Sequence, residues 1–213
     1  LSSTSSYDIA ATLHELGVLH IKRAEWSIAR DLLTKSLNMK RALAKQTGNG
    51  DANSRSDIAK AMRFSEEAAT LHQLAVVSIL CKPRRLDLAE ILLREALQVM
   101  HDYDGPFSVG GRAATLQKLA QVLEYRGKRG EARKILEEAM DLYVETYGVG
   151  VAHVNLAAVL TSLGSSCCAE KKFDEARDYL WKSLLMRRKI YGVNDDEDGS
   201  GGGSGVSAGD IHG

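Results

Sequence analysis

Only 2 of the 213 residues are proline and only 6% are aromatic. Scarce proline leaves long stretches free of the residue that breaks a helix interior at a cost of ~3 kcal/mol. Few aromatics, with many Ala, Leu, Glu, Lys and Arg, argue against a sheet-rich fold. The 3 cysteines make no disulfide framework: Cys167 and Cys168 are adjacent and Cys81 stands alone, which fits a reducing, cytoplasmic setting. No apolar run is long enough to span a bilayer, since the longest, Leu74 to Cys81, is interrupted by Ser78. The chain begins at Leu1 rather than Met, which points to a fragment of a longer protein and leaves any signal peptide outside it.

Charge is balanced but unevenly placed. There are 28 basic and 28 acidic residues, and five of the acids (Asp195, Asp196, Glu197, Asp198, Asp210) lie in residues 194–213, which hold no Lys or Arg. Residues 1–193 are therefore mildly basic and end in an acidic tail.

The clearest pattern is repetition. ATLHELG (Ala11–Gly17), ATLHQLA (Ala69–Ala75) and ATLQKLA (Ala114–Ala120) are near copies, and AVLTSLG (Ala158–Gly164) is a more diverged fourth. Each closes on a small residue: Gly17, Ala75, Ala120 or Gly164. Twelve residues later, or fourteen in the copy containing Lys82-Pro83, a second box opens on Ala29, Ala89, Ala132 or Ala176. Four residues into it stand Leu33, Leu93, Leu136 and Leu180, and seven in stand Ser36, Ala96, Ala139 and Ser183. Spacings of three, four and seven form one helical stripe. Each copy thus reads as two helices, A and B, crossing at small residues. Trp26 and Phe173, each three residues before the B alanine, read as core anchors.

These boxes resemble the tetratricopeptide repeat family, and the 44- to 45-residue spacing with Tyr147-Gly148 and Tyr191-Gly192 endings looks like its kinesin light chain subgroup. The resemblance implies an all-α, right-handed α-solenoid of about four antiparallel helix pairs, with the A helices on the concave side. The expected repeats are about 8–46, 57–101, 111–148 and 151–192, within a repeat domain over 1–193. An insertion loop is expected at about 46–56, and residues 194–213 read as an acidic, then Gly/Ser-rich flexible tail. The stretch at about 45–64 is a further candidate contact surface. Pro83 and Pro106 fall in expected loops.

The resemblance implies a groove lined by helix A residues around the second box leucine. These are His14, Glu15 and Val18; His72, Gln73 and Val76; Gln117, Lys118, Gln121, Glu124 and Tyr125; and Thr161, Ser162 and Ser165. Kinesin light chain-like repeats usually carry Asn just before that leucine, where Glu15, Gln73, Lys118 and Ser162 stand here. The subgroup's ligand motifs therefore do not transfer. Chaperone-tail clamps are set aside as well, since His14 and Glu15 replace the basic and Asn residues they need.

Every A-to-B turn also carries cations: Lys22 and Arg23; Lys82, Arg84 and Arg85; Arg126, Lys128 and Arg129; Lys171 and Lys172. They read either as solvated helix C-termini opposing the dipole or as a basic edge that steers an acidic partner. The tail reads as a linker to a further domain, or as a segment folding back in cis onto that edge. At ~3.3 Å per residue its reach is ~65 Å. Nucleic acid is not expected, because no aromatics are interleaved with the cations.

No catalytic, metal or cofactor constellation is recognised. GVGVAH and GPFSVGG lack both the Gly-Lys-Ser/Thr and the G-x-G-x-x-G context. His14 and His72 lack further ligands at metal spacing, and Cys167-Cys168 reads as packing. The reading is a non-catalytic scaffold or adaptor for a protein or peptide ligand, an acidic one included. The alternative is a self-assembly or oligomerisation module within a larger repeat protein. An apolar, uncapped surface around Trp181, Leu184, Leu185 and Met186 would favour a partner or further repeats.

Overall fold

The computed structural model describes residues 3–47, 55–102 and 109–192. These form eight α-helices and no strand: α1 (Ser3–Lys22), α2 (Trp26–Thr47), α3 (Arg55–Leu80), α4 (Leu86–Asp102), α5 (Val109–Tyr125), α6 (Arg129–Tyr147), α7 (Val154–Ala169) and α8 (Phe173–Tyr191). Odd-numbered helices are the A helices and even-numbered ones the B helices. Each A packs on its own B, and α2, α4 and α6 pack in turn on α3, α5 and α7. Neighbouring A helices approach closely, whereas successive B helices stand further apart and are linked by long side chains, Arg41 with Glu95, Arg94 with Glu131 and Arg133 with Glu175. The chain is therefore an all-α solenoid with the A helices as its inner layer.

The small box residues explain the crossing. A Cβ placed on Gly17 would lie 2.6 Å from Leu33 Cγ, and one on Gly164 would lie 2.6 Å from Leu180 Cγ. Where α1 crosses α2, and where α7 crosses α8, there is thus no room for a methyl group unless the leucine moves. The hydroxyls of Ser36 and Ser183 tighten the same two crossings, donating to the carbonyls of Ala10 and Ala157 at 2.6 Å. Leu33, Leu93 and Leu136 are buried, and burying each such side chain is worth about 1.5–3 kcal/mol.

The A-to-B turns share one geometry. Ala24, Gly127 and Lys171 occupy equivalent positions with φ of 59°, 76° and 62°. After each, an N–H closes on a carbonyl five residues back: Glu25 on His20, Lys128 on Leu123 and Lys172 on Cys167, at 2.8–3.0 Å. This is the left-handed helix stop that glycine fits without strain. In the second repeat two extra residues intervene, yet Arg85 N–H still closes on the equivalent Ser78 carbonyl at 2.9 Å.

Several expectations change. Helix α3 starts at Arg55, two residues before the expected start of the second repeat at 57, so the candidate contact stretch at 45–64 is helical from 55 onward. Helix α2 runs to Thr47, and residues 48–54 lie outside those described, as do Pro106 and the tail from 193. Helix α7 begins at Val154 rather than near 151, because His153 caps it by accepting the Asn155 N–H at 3.2 Å. Trp26 is half-buried against the core, but Phe173 is 66% exposed and is no anchor.

Two substitutions test the packing and the turn. Gly17→Ala is expected to destabilise by about 1–2 kcal/mol, since fully buried Leu33 must shift. Gly164→Ala should cost less, because Leu180 lies at the open end of the stack and is 39% exposed. Lys171→Gly should stabilise by about 0.5–1 kcal/mol through relief of the left-handed strain. Urea midpoints of the three variants check all three outcomes.

Candidate functional site in the inner face

Neighbouring A helices are tied by a repeated side-chain bond. His14 Nδ1 lies 3.0 Å from Thr70 Oγ1. His72 Nδ1 lies 3.1 Å from Thr115 Oγ1, and Gln117 Nε2 lies 3.1 Å from Ser162 Oγ. In each case the hydroxyl donates its own hydrogen four residues back, from Thr70 to Glu66 O, from Thr115 to Gly111 O and from Ser162 to Ala158 O. The hydroxyl is therefore the acceptor, and the histidine Nδ1 carries the proton. A His Nδ1–H and a Gln Nε2–H are interchangeable in this role, which is why His, His and Gln occupy the same place in three successive copies.

Of the expected groove residues, His14, His72, Gln117 and Ser162 are thus engaged in joining helices. Burial lowers the His14 pKa, helped by the positive charge of Lys40. Burial and then Lys118 bring His72 down to about 4. Val18, Gln73 and Val76 are half-buried, and Glu15 is exposed.

The other members cluster. A depression of about 300 Å³ between α5 and α7 is lined by Gln117, Lys118, Gln121, Glu124, Thr161, Ser162 and Ser165. Leu136 of α6, which sequence reasoning placed in the core alone, also lines it, as does Ala120. Lys118 Nζ donates to Gln121 Oε1 at 3.3 Å. Burial raises the Glu124 pKa against the opposing pull of Ser166 and Arg129. Its Oε1 is buried with no hydrogen-bond partner. Thr161 shares a 2.9 Å hydrogen bond with Ser183. Tyr125 sits apart from the depression, with the Arg84 guanidinium 4.7 Å from its ring centre.

The basic edge is partly neutralised by acids that sequence reasoning overlooked. Arg126 pairs with Asp87 at 2.9 Å and with Glu90 at 2.6 Å. Lys128 lies 3.5 Å from Glu90, Arg23 3.3 Å from Glu25, and Lys172 2.8 Å from Glu170. Burial pushes Glu90 up, but Arg94, Lys128 and Arg126 outweigh it and hold the carboxyl below the usual range. Lys22, Lys82, Arg84, Arg85, Arg129 and Lys171 form no ion pair among the described residues. Lys82 and Arg85 border a second depression of about 450 Å³, together with Arg30 and Trp26. Glu25 and Glu170 stand two residues from the cations they pair, whereas the acids facing Arg126 lie in the preceding repeat, since Asp87 and Glu90 open α4 and Arg126 follows α5.

Among the described residues no three His, Cys, Asp or Glu side chains are grouped to hold a metal ion. None of the described helices is long and apolar enough to cross a membrane.

The His72 environment sets a pH dependence. Its folded pKa of about 4 lies below the ordinary histidine value of 6.5. Between those values the unfolded chain binds more protons than the folded one. Stability present above pH 6.5 is therefore lost as pH falls through this window, by up to about 3 kcal/mol. His72→Gln, which copies the Gln117 bond, is expected to flatten the loss between pH 6.5 and 5. Urea melts of both proteins at the two pH values measure it, and equal slopes would contradict the assignment.

Models of the tetratricopeptide repeat family match residues 66–144 and 154–198, together more than half of the chain. Among solved structures, BtubC (BKLC) from P. vanneervenii is 15% identical with a TM-score of 0.67, over 95% of this chain and 70% of that one. MamA is 16% identical with a TM-score of 0.57, over 86% of this chain and 81% of its own. A putative kinesin light chain with nearly identical TPR-like repeats from Podosopora anserina is 16% identical, over 87% of this chain and 97% of that one, with a TM-score of 0.48. No curated protein matches the chain. With the repeat boxes, the paired helices and the two family matches in agreement, the chain belongs to the tetratricopeptide repeat family.

Proposed function

We propose that the chain is a non-catalytic interaction scaffold that takes a peptide segment along the inner face of its A helices. Tetratricopeptide repeats generally mediate contacts between proteins, and the depression between α5 and α7 is the observation that carries the finer reading. It combines an amide (Gln121), a hydroxyl (Ser165), a cation (Lys118) and a carboxylate (Glu124) over an apolar floor at Leu136. A peptide main chain offers both the N–H donors and the C=O acceptors that such a lining satisfies. The inter-helix bonds of His14, His72 and Gln117 hold the A helices in place before any ligand arrives. This preorganisation lowers the entropy cost of binding.

An acidic segment is favoured by the unpaired cations of the edge. Lys82 and Arg85 border the 450 Å³ depression between the first two turns, beside Glu25. Residues 194–213 carry the complementary charge in the same chain.

The test is a random-peptide display selection on the 213-residue chain, followed by titration of the selected peptide. Ser165→Trp fills the α5–α7 depression from an exposed position and should weaken binding at least tenfold, about 1.4 kcal/mol. Unchanged affinity would remove the groove reading. For the acidic preference, a fluorescent oligo-glutamate peptide should bind more tightly after deletion of residues 194–213, and binding should fall as salt rises. No binding to either form would remove it.

A further inference from the structure

The two ends of the stack expose opposite halves of an interface that the chain already builds three times. Leu180 of α8 is 39% exposed, whereas its counterparts Leu33, Leu93 and Leu136 are at most 1% exposed. The next A helix is what covers those three, and nothing among the described residues covers Leu180. Around it, Trp181 and Leu184 are 56% and 39% exposed, bordering an apolar depression of about 380 Å³. At the other end no B helix precedes α1 among the described residues. Leu16 and Leu19 are 41% and 48% exposed there, whereas the box leucines equivalent to Leu16, namely Leu74, Leu119 and Leu163, are all buried.

The differences between copies are complementary across the two ends. Inside the stack, Arg94 of α4 pairs with Glu131 of α6. Five residues after the B alanine and one before it, the same two positions in the fourth and first copies are Trp181 and Ile28. Both are exposed, at 56% and 47%. An internal charge pair is thus replaced by an apolar pair at the ends. Lys40 of α2 pairs with Glu66 of α3 at 3.3 Å, and the corresponding terminal positions hold Arg187 and Asp8, again of opposite charge. Two pairings are less favourable: Arg188 would meet Lys35 where Arg41 meets Glu95, and Arg177 would meet Arg23 where Arg133 meets Glu170 at 3.4 Å. In the second, both arginines already have acidic neighbours, Glu25 for Arg23 and Asp174 for Arg177.

We propose that α8 of one molecule docks α1 of a second copy, so that the stack continues from chain to chain in the register of its internal repeats. The contact joins two different surfaces, leaves one of each free, and therefore propagates instead of stopping at a dimer. It uses the ends of the stack and is independent of ligand binding on the inner face.

The test uses two variants of the 213-residue chain, Leu19→Glu and Leu184→Glu. Both side chains are exposed, and far-ultraviolet circular dichroism confirms that the helices are retained. In sedimentation velocity from micromolar to near-millimolar concentration, the unsubstituted chain should grow past the dimer. Leu19→Glu blocks one surface and Leu184→Glu the other, so each alone should remain monomeric. Mixed together, they should form a 1:1 dimer and nothing larger, because each supplies the surface that the other retains. A monomeric unsubstituted chain across the range overturns the proposal, whether its α8 face is then free, covered by residues 193–213 or reserved for another protein. A mixture that stays monomeric, or single variants that associate as the unsubstituted chain does, overturns it equally.

Discussion

Everything in this molecule hangs on how closely helix A crosses helix B. A missing or single-carbon side chain at Gly17, Ala75, Ala120 or Gly164 lets a leucine four residues into the B box lie against the A backbone. That proximity sets the tilt within each pair, and the tilt sets where the next A helix lands. Only then do a His or Gln and a hydroxyl from consecutive A helices fall within hydrogen-bond reach. Interiors pack near the density of organic crystals, so a crossing this close has little slack. The first and last crossings add a serine hydroxyl bonded to an A-helix carbonyl, while Ala96 and Ala139 do without one.

The arginines between repeats play a different part. Arg41 bonds Glu67 and Glu95, Arg94 bonds Glu131, and Arg133 reaches Glu170 and Glu175. Half-exposed pairs of this kind contribute only about 0–1 kcal/mol each. Their value lies in orientation, because each joins a B helix to the repeat that follows. Apolar stripes permit small axial slips, and a fixed donor–acceptor geometry disfavours them.

The repeat boxes made the architecture legible because helical periodicity and small crossing residues are local signals. The helix limits follow from the same signals to within a few residues, as at α3, which begins at Arg55 where the second repeat was expected from 57. The inner face was less legible. Glu124, Ser165 and their neighbours do gather around one depression. His14 and His72 instead bond sideways, because the hydroxyls that receive them lie 56 and 43 residues away. The neutralised edge was hidden for a similar reason: the acids facing Arg126 open the preceding B helix. Phe173 resembles Trp26 in sequence, but its surroundings at the end of the stack differ.

The rungs between A helices are short, and their counterparts in the outer layer are long arginine–glutamate pairs, Arg41 with Glu95, Arg94 with Glu131 and Arg133 with Glu175. The stack is therefore mechanically lopsided, like a spine with short ligaments along one side and slack ones along the other. Bending that splays the B helices apart can be followed by a rotamer change in a half-exposed arginine, whereas bending that spreads the A helices must stretch each short His–Thr or Gln–Ser rung in turn. Changes in curvature should pivot about the inner face, keeping its spacing nearly constant while the outer surface opens and closes.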